Sequence, residues 1–217
     1  KEIEQYSVKV RILPGLAELA QGKVLVSELK EVDILDLLGR VEVKPNQDLI
    51  NKNNKDKAVL ITGAGGSIGS EISRQVVRSG PKVLVLLDSN EFALYEIKKE
   101  IESIASEVEI HSVLANVTSK KRMKEILKAF QIQTIYHSAA YKHVHLVEEN
   151  PFEAVLNNII GTKVCAQSSI EEGIETFVLI STDKAVRPTN IMGATKRFSE
   201  MILQALSHSE NSDLTTK

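Results

Sequence analysis

The stretch AVLITGAGGSIG, Ala58 to Gly69, passes without pause from a short apolar run into closely spaced glycines. Val59, Leu60 and Ile61 are apolar on both sides of the alternation, the pattern of a parallel strand covered on both faces. Gly63, Gly66 and Gly69 follow at three-residue spacing. Residues without a side chain allow the tight turn, let the backbone approach a pyrophosphate and let the next helix lie close on the strand. The phosphates then sit at a helix N-terminus, where unpaired N–H groups and the helix dipole favour negative charge. Ser67 is placed to cap that helix. Alone, such a run reads equally well as a plain tight turn.

Its surroundings decide between the two. A helix over 67–78 ends at Gly80-Pro81, and Val83 to Leu87 forms a second buried run finishing in Asp88. An acid about twenty residues beyond the glycines is where a dinucleotide fold binds the adenosine ribose hydroxyls. Ser89, Asn90 and Glu91 follow, with no arginine to receive a 2′-phosphate, which favours NAD over NADP.

The chain has 217 residues and a formal net charge of -2, enough for one good core with an appendage and no bulk attraction to nucleic acid or anionic membrane. A cytosolic globular protein is the default. The single cysteine, Cys165, excludes an internal disulfide and reads as a small core residue. No apolar run reaches the eighteen or so residues that span a bilayer. Lys1 in place of Met and the polar tail Ser207 to Lys217 read as a fragment of a longer protein. A sheet edge left open by the cut would make the isolated chain poorly soluble or inactive.

Before the glycine turn the expectations are a strand over Val8 to Leu13 stopped by Pro14-Gly15, a short helix at Leu16 to Ala20, a strand at Lys23 to Ser27 and a helix at Asp33 to Arg40. Residues 1–57 are taken as a connector and the end of a preceding domain, with polar Asn46 to Lys57 as the exposed link. From Ala58 onward strand and helix alternate: helix 91–104, strand 109–114, helix 119–130, strand 134–137, one long helix from about Leu146 through Pro151 to Glu172, strand 176–180 and helix 191–206. Right-handed crossovers then give a doubly wound Rossmann-type α/β sheet, order 3-2-1-4-5, over residues 58–217, incomplete at its C-terminus. The basic face Lys120, Lys121, Arg122, Lys124 and Lys128 reads as solvated surface.

Ligands in such folds lie beyond the carboxyl ends of the strands. Strand four ends in His137-Ser138-Ala139-Ala140-Tyr141-Lys142-His143, where small residues let a cofactor ribose lie against the backbone, and strand five ends in Ser181-Thr182-Asp183-Lys184. Asp183 and Lys184 put an acid and a base side by side. Lys196, one turn after Met192, overhangs the same edge. His137, His143 and His145 lack the carboxylate or cysteine pattern that would complete a metal site, so no metal is expected.

Gly63 to Gly69 (GAGGSIG), Ala139 to Val144 (AAYKHV), Asn158 to Thr162 (NIIGT), Ser181 to Asn190 (STDKAVRPTN) and Met192 to Arg197 (MGATKR) together resemble the extended short-chain dehydrogenase/reductases. More narrowly the chain, from about Asp33 to Leu206, resembles the membrane-anchored nucleoside-diphosphate-sugar 4,6-dehydratases of bacterial capsule, O-antigen and glycan synthesis. In that family transmembrane helices and another nucleotide-fold domain precede this region and a substrate domain follows. The resemblance implies a protein at the cytoplasmic face of the inner membrane, a homo-oligomer, and a UDP-sugar such as UDP-N-acetylglucosamine as substrate. It also implies bound NAD, oxidation at C4, loss of water across C5 and C6, and return of the same reducing equivalents to C6.

Roles follow from the resemblance and the chemistry. The cofactor set is Gly63, Gly66, Ser67, Ile68, Gly69, Asp88, Asn116, Val117, Ala139, Ala140 and Lys196. Lys142, Asn158 and Thr182 serve the substrate, Thr182 by a hydrogen bond to O4 and Asn158 by bracing the active-site helix. Lys184 removes the C5 proton, Asp183 protonates the leaving hydroxyl, and the charge of Lys196 favours deprotonation at O4. Met192 stands where the superfamily's tyrosine usually stands and has no proton to exchange, which leaves Thr182, Asp183 or a water to take the O4 proton. Asn116 stands where an acid often meets adenine. A sugar-nucleotide 4-epimerase or 4-dehydrogenase, or a dinucleotide-sensing module without catalysis, are the competing readings.

Overall fold

The computed structural model describes residues 11–12, 30–31, 46–208 and 215–216. The chain divides into two compact units, Lys1–Pro45 and Asn46–Lys217. In the first, β1 (Arg11–Ile12) pairs antiparallel with β2 (Lys30–Glu31). The helix expected at Leu16 to Ala20, the strand at Lys23 to Ser27 and the helix at Asp33 to Arg40 lie outside the described residues.

The second unit opens with α1 (Gln47–Asn54), where the sequence had suggested a link. Asn46 caps it, accepting from the Leu49 amide at 3.2 Å. The helix is held to the sheet by polar contacts: Thr134 Oγ1 donates to the Asn53 carbonyl at 2.6 Å and the Tyr136 hydroxyl to Asn54 Oδ1 at 3.0 Å. The compact unit therefore begins at Asn46 rather than at Ala58.

β3 (Ala58–Thr62) is buried along its whole length. It runs parallel between β4 (Val83–Asp88) and β6 (Thr134–His137), with β5 (Glu109–Leu114) outside β4 and β7 (Thr176–Leu179) outside β6. This is the expected order 3-2-1-4-5. The tail adds what the sequence did not suggest, a two-residue β8 (Thr215–Thr216) parallel to β7.

Successive residues of β3 feed opposite faces, as a strand's two-residue period requires. Leu60, with Val85, Leu87, Ile135 and Phe177, packs under α4 (Lys120–Ala129) and α7 (Gly161–Glu171), where Cys165 is fully buried. Val59 and Ile61, with Leu84 and Leu86, pack under α2 (Ser67–Arg78) and α3 (Glu91–Ile104). Each such buried side chain contributes about 1.5–3 kcal/mol. On the outer surface Lys120, Lys124 and Lys128 of α4 pair with Glu171 and Glu172 at the end of α7, so the basic face is half of an exposed ion-pair seam.

The long helix expected from Leu146 is interrupted. α5 (Val144–Glu149) stops at Asn150, and Pro151 opens α6 (Pro151–Ala154), since proline at the first helical position gives up no needed N–H. A π-helical segment, Val155–Ile160, then leads into α7. After β7, a 3-10 turn (Asp183–Ala185) precedes α8 (Ile191–Ser207), whose cap Asn190 accepts from the Gly193 amide at 2.7 Å.

Candidate active site

The glycine turn is built by backbone contacts that leave no room for a side chain. At Gly63, φ is +67° and a Cβ would lie 2.7 Å from Ala139 Cα. A Cβ on Gly69 would lie 2.0 Å from the Gly63 carbonyl oxygen, so α2 sits directly on the turn. Gly66 is different: a Cβ there would meet only that same oxygen, at 3.3 Å. Gly66 is also the N-cap of α2, with no side-chain cap bond, which corrects the role expected for Ser67. Ser67 is the first helical residue, and its hydroxyl accepts from Lys142 Nζ at 2.5 Å.

Asp88, at the end of β4, turns toward this loop. Its Oδ2 accepts from the Gly65 amide and its Oδ1 from the Asn90 amide, both at 2.9 Å. Gly63, Gly66, Asp88, Asn116, Val117, Ala139 and Ala140 line one cavity of about 470 Å³. Asn116 Oδ1 is engaged there by the Thr118 amide and hydroxyl, both at 2.9 Å. Ser67, Ile68 and Lys142 line a second cavity of about 450 Å³ that shares Gly66, Ala140, Tyr141 and His143 with the first. Lys142 thus stands over the glycine turn, and Gly69 supports the site from behind.

The other edge is organised by α8. Lys196 is 6% exposed, and its Nζ donates to the Ile180 carbonyl at 2.6 Å. Burial pushes this ammonium down to about 8, with Glu200 partly opposing the shift. Gly193 lets the 3-10 turn press on α8, since a Cβ there would lie 2.3 Å from the Lys184 carbonyl oxygen. Thr182 caps that turn, and its hydroxyl donates to Asp183 Oδ1 at 3.0 Å. Lys184 Nζ stands 3.6 Å from Asp183 Oδ1, with the two side chains 52% and 79% exposed. The Thr182 hydroxyl first, and then the charge of Lys184, hold the Asp183 carboxyl below the usual carboxylate range.

Asn158 ties the two edges together. Its Oδ1 accepts from the Tyr141 amide at 2.8 Å, and its Nδ2 donates to the Tyr141 carbonyl and to Thr195 Oγ1, both at 3.0 Å. It is buried and braces α8 from within rather than facing a ligand. Met192 is likewise turned inward: it is 4% exposed and packs with Val147 and Ala154. Thr182, Asp183 and Lys184 line neither cavity. Gly65, whose amide holds Asp88, and Thr195, which accepts from Asn158, were not among the expected site residues, although they stand in the GAGGSIG and MGATKR stretches. Among the described residues no group of three or more His, Cys, Asp or Glu side chains could hold a metal ion.

A parallel 3-2-1-4-5 sheet with a glycine turn at its first crossover defines a doubly wound, Rossmann-type α/β domain, with the lysine-bearing α8 at its far edge. The chain belongs to the polysaccharide biosynthesis protein family, whose profile matches residues 59–217. It is 45% identical to the capsular polysaccharide biosynthesis protein CapD of Staphylococcus aureus over 89% of this chain and 33% of that one. It is 28% identical to a UDP-N-acetylglucosamine 4,6-dehydratase (inverting) of Campylobacter jejuni over 72% of this chain and 44% of that one. Among solved structures, Pen from Bacillus thuringiensis superposes with a TM-score of 0.69 at 32% identity, over 75% of this chain and 48% of that one. The chain therefore spans a third to a half of the length of these relatives.

Proposed function

We propose that this chain is the dinucleotide-binding part of an NAD-dependent nucleoside-diphosphate-sugar 4,6-dehydratase, acting on a UDP-N-acetylhexosamine such as UDP-N-acetylglucosamine for surface-polysaccharide synthesis. The observation that carries the reading is the Asp183–Lys184 pair at the carboxyl edge of the sheet, beside α8 and its buried Lys196. A reversible oxidation alone needs no such acid and base; an elimination does.

The residues present fit a dinucleotide. Gly66 leaves the helix N-terminus open where a Cβ would begin to fill it, Lys142 adds a positive charge over that turn, and Asp88 stands at the end of the next strand. Ser89 and Asn90 line the cavity next to Asp88 with no arginine beside them, which favours NAD over NADP. NAD, when bound, would supply reversible two-electron oxidation at C4 of the sugar, which acidifies the C5 proton.

The remaining steps belong to the side chains. In the present state the carboxyl of Asp183 is held low and ion-paired with Lys184. Once the pair closes from 3.6 Å to hydrogen-bond distance, one proton passed from Lys184 Nζ to Asp183 would convert it into a neutral amine and a carboxylic acid. Lys184 then takes the C5 proton while Asp183 protonates the leaving C6 hydroxyl, so water departs and the resting pair is restored. Both groups are more than half exposed, and the reactive pair would be stabilised once substrate and the rest of the protein exclude water. Lys196, partly deprotonated near pH 8, would hold the cofactor ribose and lower the cost of removing the O4 proton. Thr182 would exchange its bond to Asp183 for one to O4.

Residues 1–57 would connect to a preceding membrane-anchored portion at the cytoplasmic face, and a substrate-selecting domain would follow residue 217. Among the described residues no helix is long and apolar enough to cross a membrane. The full-length protein is proposed to be a homo-oligomer. The test is incubation of that protein with UDP-N-acetylglucosamine in deuterated water. A 4-keto-6-deoxy product carrying deuterium at C5 is expected. A 4-epimer would point to an epimerase, and unchanged substrate with NAD bound would point to another sugar nucleotide and then to a sensing module.

A further inference from the structure

His137, the last residue of β6, is 1% exposed and stands between Thr62 at the end of β3 and Thr162 at the start of α7. Its Nδ1 lies 2.7 Å from Thr62 Oγ1 and its Nε2 lies 3.0 Å from Thr162 Oγ1. The single hydroxyl proton of Thr162 goes to the Asn158 carbonyl, 2.6 Å away, because a carbonyl can only accept. Thr162 must then accept from the ring, which puts the imidazole proton on Nε2. Burial, with the charge of Lys196 adding to it, pushes the imidazole down to about 3 and keeps it neutral. Nδ1 is left to accept from the Thr62 hydroxyl, whose oxygen faces the Ala139 amide at 3.4 Å.

The donors therefore run one way, from the Ala139 amide through Thr62, His137 and Thr162 to the carbonyl of Asn158. That carbonyl also accepts from Ser199 at 2.8 Å, while the Asn158 side chain grips Tyr141 and Thr195. Ser199 and Thr195 flank Lys196 on α8, and Ala139 and Tyr141 line the larger cavity. Asn158 lies in the π-helical segment, a departure from α geometry found frequently at functional sites.

We propose that His137, as a neutral Nε2–H tautomer, is a positioning residue that sets the Ala139–Tyr141 loop against Lys196. The proposal rests on the reading of the larger cavity as a dinucleotide site. His137 touches neither cavity, and it acts through the two threonines. A phenylalanine would fill the same space but leave the Thr62 hydroxyl proton without its acceptor and the Thr162 oxygen without its donor.

The test uses the full-length protein. ¹⁵N-histidine NMR at neutral pH, with His137 assigned by its loss in the His137→Phe variant, is expected to show the Nε2–H tautomer; a charged ring or the Nδ1–H tautomer overturns the proposal. Thr162→Val keeps the volume and removes the acceptor, whereas Thr162→Ser keeps the hydroxyl. Thr162→Val is expected to weaken NAD binding about tenfold and to lower kcat with little change in the substrate KM; Thr162→Ser is expected to restore both. Wild type that binds NAD beside a Thr162→Val variant of equal affinity and kcat overturns this role alone. Wild type that binds no NAD overturns the cavity's assignment and this role together.

Discussion

The two ends of the candidate site are made differently. Around Gly63 to Gly69 the shape is fixed by backbone: a Cβ at Gly69 or Gly63 would fall 2.0 or 2.7 Å from main-chain atoms, and Asp88 is fastened by two amide donors. Around Thr182 to Lys184 the chemistry lies in exposed side chains that bond to one another, on a turn pinned from beneath by Gly193 and by Lys196 gripping Ile180. The first end is finished within these residues. The second is a supported platform on which the proposed acid and base stand more than half exposed. Stability and function should therefore separate along this line, substitutions at the first end harming both and substitutions of the pair at the second harming function alone.

The largest effect is expected at Gly69. Gly69→Ala forces a Cβ to within 2.0 Å of a backbone oxygen that cannot yield without moving β3 or α2. A loss of about 3 kcal/mol or more is expected, with dinucleotide binding lost as well. Thermal unfolding and NAD titration measure the two. A variant of wild-type stability that still binds NAD would show that the turn is not rigid and would erase the contrast.

At the other end, Lys184→Ala is expected to lower kcat by about 10²–10⁴ while NAD affinity stays unchanged and stability moves by no more than about 0.5 kcal/mol. Single-turnover kinetics beside urea unfolding makes the comparison. Unaltered dehydration would remove Lys184 as the C5 base. A large loss of stability would show that the platform is held by its side chains after all.

Lys196 belongs to both descriptions, because it is buried and yet charged. Its ammonium falls from 10.5 to about 8 on folding. Between those values the unfolded chain binds the proton that the folded chain has released, so the stability of the fold rises with pH across this window. Below pH 8 both states are protonated and the full cost of burying the charge is present. The shift corresponds to about 3 kcal/mol regained by pH 10.5. Urea midpoints of wild type and Lys196→Met, compared from pH 7 to about 10.5, should converge or cross as that cost is relieved in wild type only. Parallel curves would place the ammonium in contact with solvent.

Most of the fold was legible because the central strands are apolar on both faces and each helix presents one apolar side, patterns that survive in the residue order. The glycine turn and Asp88 were legible for a similar reason: both ends of that contact lie within one β–α–β unit. Residues 46–57 were not, since α1 brings only Leu49 and Ile50 as apolar residues and is fastened by Asn53 and Asn54 through hydrogen bonds to a distant strand. The break at Asn150 was hidden because apolar residues continue on both sides of Pro151, and the π-helical segment has no compositional mark. The direction of a side chain is harder still. Met192 and Lys196 stand one turn apart on α8, yet Met192 packs toward α5 and α6 while Lys196 reaches the end of β7.

That divergence yields the smallest and most selective prediction. If the position of Met192 were catalytic, changing it should alter rate before stability. The structure puts its thioether against Val147 and Ala154, with Val144 and Ile191 alongside, in a satellite core that seats α5 on the first turn of α8. The same junction is latched by Glu148, which accepts from the Ile191 amide at 2.7 Å. Met192→Leu conserves volume and should cost less than about 1.5 kcal/mol, with turnover within roughly threefold of wild type. Met192→Tyr should cost about 1–3 kcal/mol by overfilling the cluster and bring no gain in rate. Its phenol would be directed into the apolar cluster of Val147 and Ala154, away from the end of β7 that Lys196 reaches. A Met192→Tyr protein that unfolds at the wild-type midpoint and turns over faster would mean that this side chain can swing into the cleft, and the second end of the site would then be far less fixed than its buried lysine implies.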